Sequence, residues 1–417
     1  MSTLRLRNCR LLDDGTADIT IDDGRISGVL RRSGSDIDAA RDVAPHDGTT
    51  IDADGRVVLP AFADLHTHLD KVGTFWVDGG EAEEGPDRLQ WAADRLRSIK
   101  AGLDVDIIAE RAEHAIRTLV GRGTTALRTH VDVDTVVELR GIQAMLEVRN
   151  RVADIADVQI CVLPTEPGWH HRGAGWDLVR AALELEVDAV GGATGFADEP
   201  GFYVDTVFGL ADEFDVEVDL HVDESDDPTM LVLEHVARRA IEQDRVGRVV
   251  AGHCSTLALA EPEDAARIIE LVARAGVTVV AMPTTNLYLL GSPSGPRGMT
   301  RVRDLLAGGA RVACASDNMQ DPFNPYGNGD LLQVAALAGA VGHLGAGSTQ
   351  RALIEAVTDV PRTAMGLQSG LRSGAPADLV VLDTTDPARI LADQPARRWV
   401  VRSGRVLAEG SGIGGLV

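Results

Sequence analysis

The middle of the chain repeats one unit: a short apolar run, a polar or glycine cluster, then an amphipathic stretch. The apolar runs are "VVLPAFADLHTH", "TTALRTHVDVD", "VQICVLPTEP", "DAVGGATG", "VEVDLHVDE", "RVVAGHCS", "VTVVAMPTTN" and "RVACASDN". Runs this continuously apolar are expected of parallel strands buried on both faces. The stretches between them, such as "VDIIAERAEHAIRTLVGRG", "WDLVRAALELE", "PTMLVLEHVARRAIEQ" and "EDAARIIELVARAG", carry helical periodicity, and several stop at glycine. The strands are expected to end at His66, His130, Thr165, Gly192, His221, His253, Thr284 and Asp317. From His130 onward the ends recur about every thirty residues, the length of one β/α unit. Eight units in series predict an α/β fold, a (β/α)8 TIM-type barrel with its active site at the C-terminal strand ends. A doubly wound open sheet is the alternative, but it would gather its polar residues at one switch point.

The step from His66 to His130 is longer and leaves room for an insertion around "TFWVDGGEAEEGPDRLQ", placed over the barrel mouth. The two ends of the chain read differently. "TADITIDDGRISGV" and "TTIDADGRVVLP" near one end, and "ADLVVLDTTD" and "RRWVVRSGRVLAEG" near the other, alternate apolar and polar residues around tight turns. They predict a small β-sandwich domain built from residues 1–57 and 370–417, beside a barrel over residues 58–369. The chain has 417 residues, 44% of them hydrophobic, enough for a large core. Its net charge of −24 argues against nucleic acid or an anionic membrane as partner. Four scattered cysteines without a CxxC pair read as reduced thiols. With no apolar leader or membrane-spanning run, a cytoplasmic location is expected, and the partners expected are a small molecule and further copies of the chain.

Chemistry-bearing residues fall at the strand ends. In "LPAFADLHTHLDK", His66 and His68 are two apart on a strand and share a face. His221 in "DLHVDES" and Asp317 in "CASDN" stand at the same level on other strands. Three imidazoles and a carboxylate suit one divalent metal ion, zinc or iron, with manganese as a third option. Glu224, three residues beyond His221, is placed to shuttle protons for a water held there. His253 in "AGHCS" can hydrogen-bond that water or charge developing on a substrate. His130 is either support for the ligands or simple packing. His114, His235 and His343 lie in helical stretches, and His170–His171 in a loop. Trp76, Trp169 and Tyr288 are candidates for an aromatic wall.

The segments "HTHLDK", "RTHVDVD", "HVDESDD", "GHCS", "GMTRVRDLLAGGARVACASDN" and "DPFNPYGNGDLLQVA" resemble the amidohydrolase superfamily, within it the cytosine deaminase-like group. The resemblance implies a hydrolase that deaminates a small nitrogen heterocycle, with Glu224, His253 and Asp317 catalytic and His66, His68, His221 and Asp317 as metal ligands. It implies a single ion, since "VDAVGGATG" lacks the lysine that bridges two metals in other members. Substrate contacts are expected from Thr165, Asn318, Lys71, Trp169 and Asn286. Thr165 stands where cytosine deaminases carry a glutamine, and Asn318 where they carry a second aspartate. "HLDK" and the wording around Asn318 resemble the isopropylammelide hydrolase relatives, which lack the glutamate kept here as Glu224. Hydrolysis of a cyclic amide or of an N-alkylamino substituent is the alternative, and a non-catalytic scaffold a third reading.

Overall fold

In the computed structural model, residues 3–13, 15–32, 48–77, 79–80, 88–165, 174–291, 297–345 and 347–409 are described. At the first end, β1 (Thr3–Arg10), β2 (Thr16–Asp22), β3 (Arg25–Arg32) and β4 (Thr49–Asp52) form one sheet in the order β3-β2-β1-β4. Next come β5 (Val58–Pro60) and β6 (Phe62–Thr67). The remaining barrel strands are β7 (Thr124–Val133), β8 (Asp157–Pro164), β9 (Ala189–Ala193), β10 (Glu217–Val222), β11 (Val249–His253), β12 (Thr278–Ala281) and β13 (Arg311–Cys314). Late in the chain, β14 (Leu379–Leu382), β15 (Arg397–Arg402) and β16 (Arg405–Glu409) join β5 in a second sheet, β16-β15-β14-β5, in which every pair is antiparallel.

Strands β6 to β13 pair in sequence order, every pair parallel. The seam between β13 and β6 closes by other means. Asp317 N–H donates to the His66 carbonyl at 2.9 Å, and Ser316 N–H to Asp64 Oδ1 at 3.1 Å. Lower down, Ala356 and Val357 fill the gap, accepting from Cys314 (2.8 Å) and Ala63 (2.9 Å). The fold is thus a nearly closed eight-stranded parallel barrel with two further sheets from the ends of the chain, one antiparallel and one antiparallel except for the parallel β1–β4 pair.

Strand alternation divides the barrel core in two. Outward residues such as Leu127, Val131, Leu220 and Val279 join the main cluster with the helices. Inward residues Ala63, Leu65, Ala126, Val250, Val280 and Ala313 form a separate apolar floor closed by Met365. Above that floor Arg128 donates to Asp219 Oδ2 (2.9 Å) and to Gln159 Oε1 (3.0 and 2.8 Å). The histidines lie higher still.

The two terminal sheets share a further cluster in which Leu4, Leu6, Ile19 and Ile21 meet Val58, Leu379, Val381 and Trp399. Arg402 fastens this sandwich to the barrel, donating to Asp157 (2.8 Å) and Asp378 (2.7 Å). Among the described residues no helix is long and apolar enough to cross a membrane.

The insertion after β6 contains a helix the sequence reading does not foresee, α1 (Arg88–Lys100), ahead of the expected α2 (Val105–Gly121). A second difference lies beyond β12. The strand stops at Ala281 and Pro283 opens α3 (Pro283–Leu289), so Thr284 belongs to a helix. Proline at a first helical position is pre-set for that role.

Candidate active site

The short turns after the strands aim side chains inward. His253, Cys254 and Asp317 have φ of 64°, 48° and 62°, and Asp223 has 54°. Non-glycine residues held in this left-handed region cost about 1–3 kcal/mol each and concentrate at functional sites. Cys254 N–H to the Val222 carbonyl (2.8 Å) and Thr256 N–H to the Asp223 carbonyl (3.0 Å) hold the strained corner.

His66 and His68 on β6 meet His221 on β10. His221 Nε2 lies 3.1 Å from His66 Nε2 and 3.2 Å from His68 Nε2. Burial lowers the pKa of all three well below the usual histidine range, and neighbouring charged groups add to the effect. Three neutral rings therefore crowd their nitrogens on one point. Asp317 Oδ1 sits 3.2 Å from His68 Nε2 and 3.8 Å from His66 Nε2. Neither carboxylate oxygen of Asp317 meets a well-aligned donor among the described residues. A buried carboxylate left this way beside converging imidazoles is costly unless a cation joins them. This donor set fits a divalent ion, and the ligand atoms of His66, His68 and His221 all lie within 4.8 Å of one another.

His66, His130 and Asp219 are grouped as closely. There, however, Asp219 is already paired with Arg128, and His130 stacks on His66 with centroids 4.0 Å apart. His130 thus packs against a ligand candidate from below. On β9, a Cβ at Gly191 would fall 2.1 Å from the Asp219 carbonyl oxygen, and one at Gly192 2.1 Å from the Tyr203 hydroxyl. Neither position has room for a side chain such as a bridging lysine.

Glu224 and His253 complete the centre. Both are buried, with Glu224 Oε1 3.5 Å from His253 Nδ1. Burial first, and then the charge of Asp317, raises the Glu224 carboxyl well above its ordinary pKa. Asn286 Oδ1 lies 3.3 Å from His253 Nδ1, which leaves His253 Nε2 without a partner among the described residues. Both line a cavity of about 220 Å³, below the roughly 300–1,000 Å³ of drug-sized sites. Leu96, Leu163, Phe196 and Phe323 give it apolar walls.

An ion ladder borders the cavity. Lys71 Nζ donates to Asp132 Oδ1 (2.6 Å) and approaches His68 Nδ1 (3.2 Å). Lys100, the last residue of α1, donates to Asp132 Oδ2 (3.0 Å) and Thr165 Oγ1 (3.2 Å), and pairs with Asp134. Thr165 in turn donates to Asp134 Oδ2 at 2.8 Å. Burial works against the charge on Asp134, but Lys100 outweighs it and holds the carboxyl down to about 2.

Most of the expected site residues come together: His66, His68, His221, Asp317, Glu224, His253, Lys71, Thr165 and Asn318 all reach the centre or its cavity. Others do not. Asn286 touches His253 and is not on the cavity wall. The Thr165 hydroxyl gives its proton to Asp134, so it has no donor for a ligand. Trp76 is 59% exposed, and neither it nor Tyr288 lines the cavity; Phe196 and Phe323 do instead. Trp169 and His170–His171 fall outside the described residues. Lys100, Asp132 and Asp134 went unremarked in the sequence, although "VDVD" repeats aspartate with the period of one strand face.

The amidohydrolase family model matches residues 173–408. The chain is 31% identical over 399 residues to the pterin deaminase of Rhizobium rhizogenes, covering 94% of this chain and 87% of that protein. It is 29% identical over 371 residues to the N-isopropylammelide isopropyl amidohydrolase of a Pseudomonas species, with 86% and 88% covered. Among solved structures, 5-methylcytosine deaminase from Klebsiella pneumoniae, liganded with 5-fluorocytosine, superposes with a TM-score of 0.88 at 29% identity, covering 97% of each chain.

Proposed function

We propose, from the premise that the chain belongs to the amidohydrolase family, that it hydrolyses the exocyclic C–N bond of a small, flat nitrogen heterocycle and releases ammonia. That it is a hydrolase acting on C–N bonds follows from its relatives; the deamination and the residue roles are our reading. The observation that carries the reading is Glu224 and His253 lining one cavity beside the converging His66, His68, His221 and Asp317.

His66, His68, His221 and Asp317 would hold one divalent ion, which supplies Lewis-acid activation of water. Glu224, buried beside that water's place, would take a proton from it and pass it to a ring nitrogen, then carry a second proton from the newly added hydroxyl to the leaving amine. His253 Nε2, buried and left bare because Nδ1–H faces Asn286 Oδ1, would accept a hydrogen bond from the attacking water and orient it. Phe196, Phe323 and Leu163 exclude water and favour a planar ring. The same apolar walls would also accept an alkylated amine, the second reading, which the isopropylammelide relative favours.

The test is metal content followed by ammonia release from pterin, cytosine, isocytosine, creatinine and aminotriazines, with amine release from N-isopropylammelide run beside them. About one metal per chain and turnover of at least one amino-heterocycle is the expected result. A metal-loaded protein that hydrolyses none of them refutes the reading.

A further inference from the structure

The ion ladder is used by no step of the reaction above, yet Lys71, Asp132 and Lys100 line the same cavity as Glu224 and His253. All three are buried. Burying alternating charges is a poor way to gain stability, because apolar residues of similar volume do as well or better. A role in recognition explains the expense. Running away from His68, the wall presents the Lys71 ammonium, 3.2 Å from the His68 ring, then the Asp132 carboxylate, then the Lys100 ammonium. In hydrogen-bonding terms that order is donor, acceptor, donor.

We propose that this wall is the substrate-recognition edge, and that the substrate presents to it the complementary acceptor–donor–acceptor edge of a lactam or imide, O=C–NH–C=O. The proposal rests on the reading above that the substrate is a flat nitrogen heterocycle, and it names the edge remote from the reacting carbon. One ring carbonyl accepts from Lys71, whose third approach, to Asp70 at 3.6 Å, is beyond hydrogen-bond length and leaves a proton available. The other accepts from Lys100, replacing Thr165, whose 3.2 Å contact is the longest that this ammonium makes. The ring N–H donates to a free lone pair of Asp132, since each oxygen accepts only one lysine. A ring with the reverse pattern sets its N–H groups against buried ammoniums, and sites built on such polar pairing reject mismatched rings steeply.

Uracil carries the proposed edge in O2, N3–H and O4, and 2,4-diaminopyrimidine reverses it on the same ring. Calorimetric titration of the metal-loaded protein should show uracil binding at least tenfold tighter. Lys100→Met should weaken uracil binding tenfold or more, and Lys100→Arg should restore part of the loss, with thermal melting confirming that each variant is folded. The proposal is overturned if 2,4-diaminopyrimidine binds as well as uracil, if uracil does not bind, or if folded Lys100→Met binds uracil as the parent does. The first comparison needs no variant to fold. It also measures binding alone, so an enzyme that releases ammonia but prefers 2,4-diaminopyrimidine loses this edge and keeps the reaction.

Discussion

Glu224→Gln separates proton transfer from metal holding. The replacement is nearly isosteric, and Glu224 is not among the residues whose ligand atoms converge with His66, His68, His221 and Asp317. Metal content should therefore stay at the parent level. A positioned acid–base contributes about 10²–10⁴-fold, so kcat should fall by that factor, or roughly 2.7–5.4 kcal/mol of barrier at 1.36 kcal/mol per decade. Stability should move the other way. In the folded, metal-free chain, burial raises the Glu224 carboxyl above its ordinary value of 4.5. The folded state then binds a proton that the unfolded state has lost, so stability falls as pH rises above 4.5 toward the raised value. Glutamine removes that penalty. Metal-stripped Glu224→Gln should melt at the same temperature as the parent below pH 4.5 and at a higher one near neutrality. Elemental analysis, steady-state kinetics and melting curves at several pH values read all three quantities. Turnover within tenfold of the parent, or loss of the metal with normal turnover per remaining ion, would refute the role given to Glu224.

Asp317→Asn should drop bound metal well below one per chain while the fold persists, measured by elemental analysis and circular dichroism; chelation of the parent should abolish turnover, and zinc or iron should restore it. Gly191→Ala places a Cβ 2.1 Å from the Asp219 carbonyl oxygen and 3.0 Å from Cys161 Sγ. It should cost at least the roughly 1–3 kcal/mol of core overpacking, and an unchanged melting temperature would show that β9 can give way. Leu30, 59% exposed on β3, lies on a terminal sheet away from the cavity. We expect Leu30→Ser to leave kcat and KM unchanged, and a kinetic effect above twofold would link the terminal sheets to the site.

The barrel is legible in the sequence because burial on both strand faces leaves apolar runs that recur at unit length. The ligand candidates are legible for a related reason. His66 and His68 show strand periodicity, and His221 and Asp317 stand at the matching level of other units. What stayed hidden depends on contacts that no local pattern records. Lys100 sits with Arg97 in the last turn of α1, where a cation ordinarily reads as a partner for the helix dipole. Only the path of the insertion carries it to Asp132 and Asp134. Thr165 is the converse case: its position at a strand end was legible, but the loss of its donor to Asp134 was not.

That contrast divides the site into two parts with different tolerance. The histidines and Asp317 sit on barrel strands or just past their ends: His221 is fixed by parallel pairing opposite Ala193 and Gly252, and Asp317 is tied across the seam to the His66 carbonyl. A one-residue slip would turn each of them out of the barrel, so their geometry is tied to the fold itself. The recognition wall is assembled differently. Asp132 belongs to β7, Lys71 to the turn after β6, and Lys100 to the end of an inserted helix. Two of its three groups can therefore shift through changes in loop or helix without disturbing a barrel strand. A chain built this way keeps the hydrolytic centre constant while the edge it recognises follows the insertion, so exchanging α1 and its flanks should change which heterocycle binds before it changes whether the C–N bond is broken.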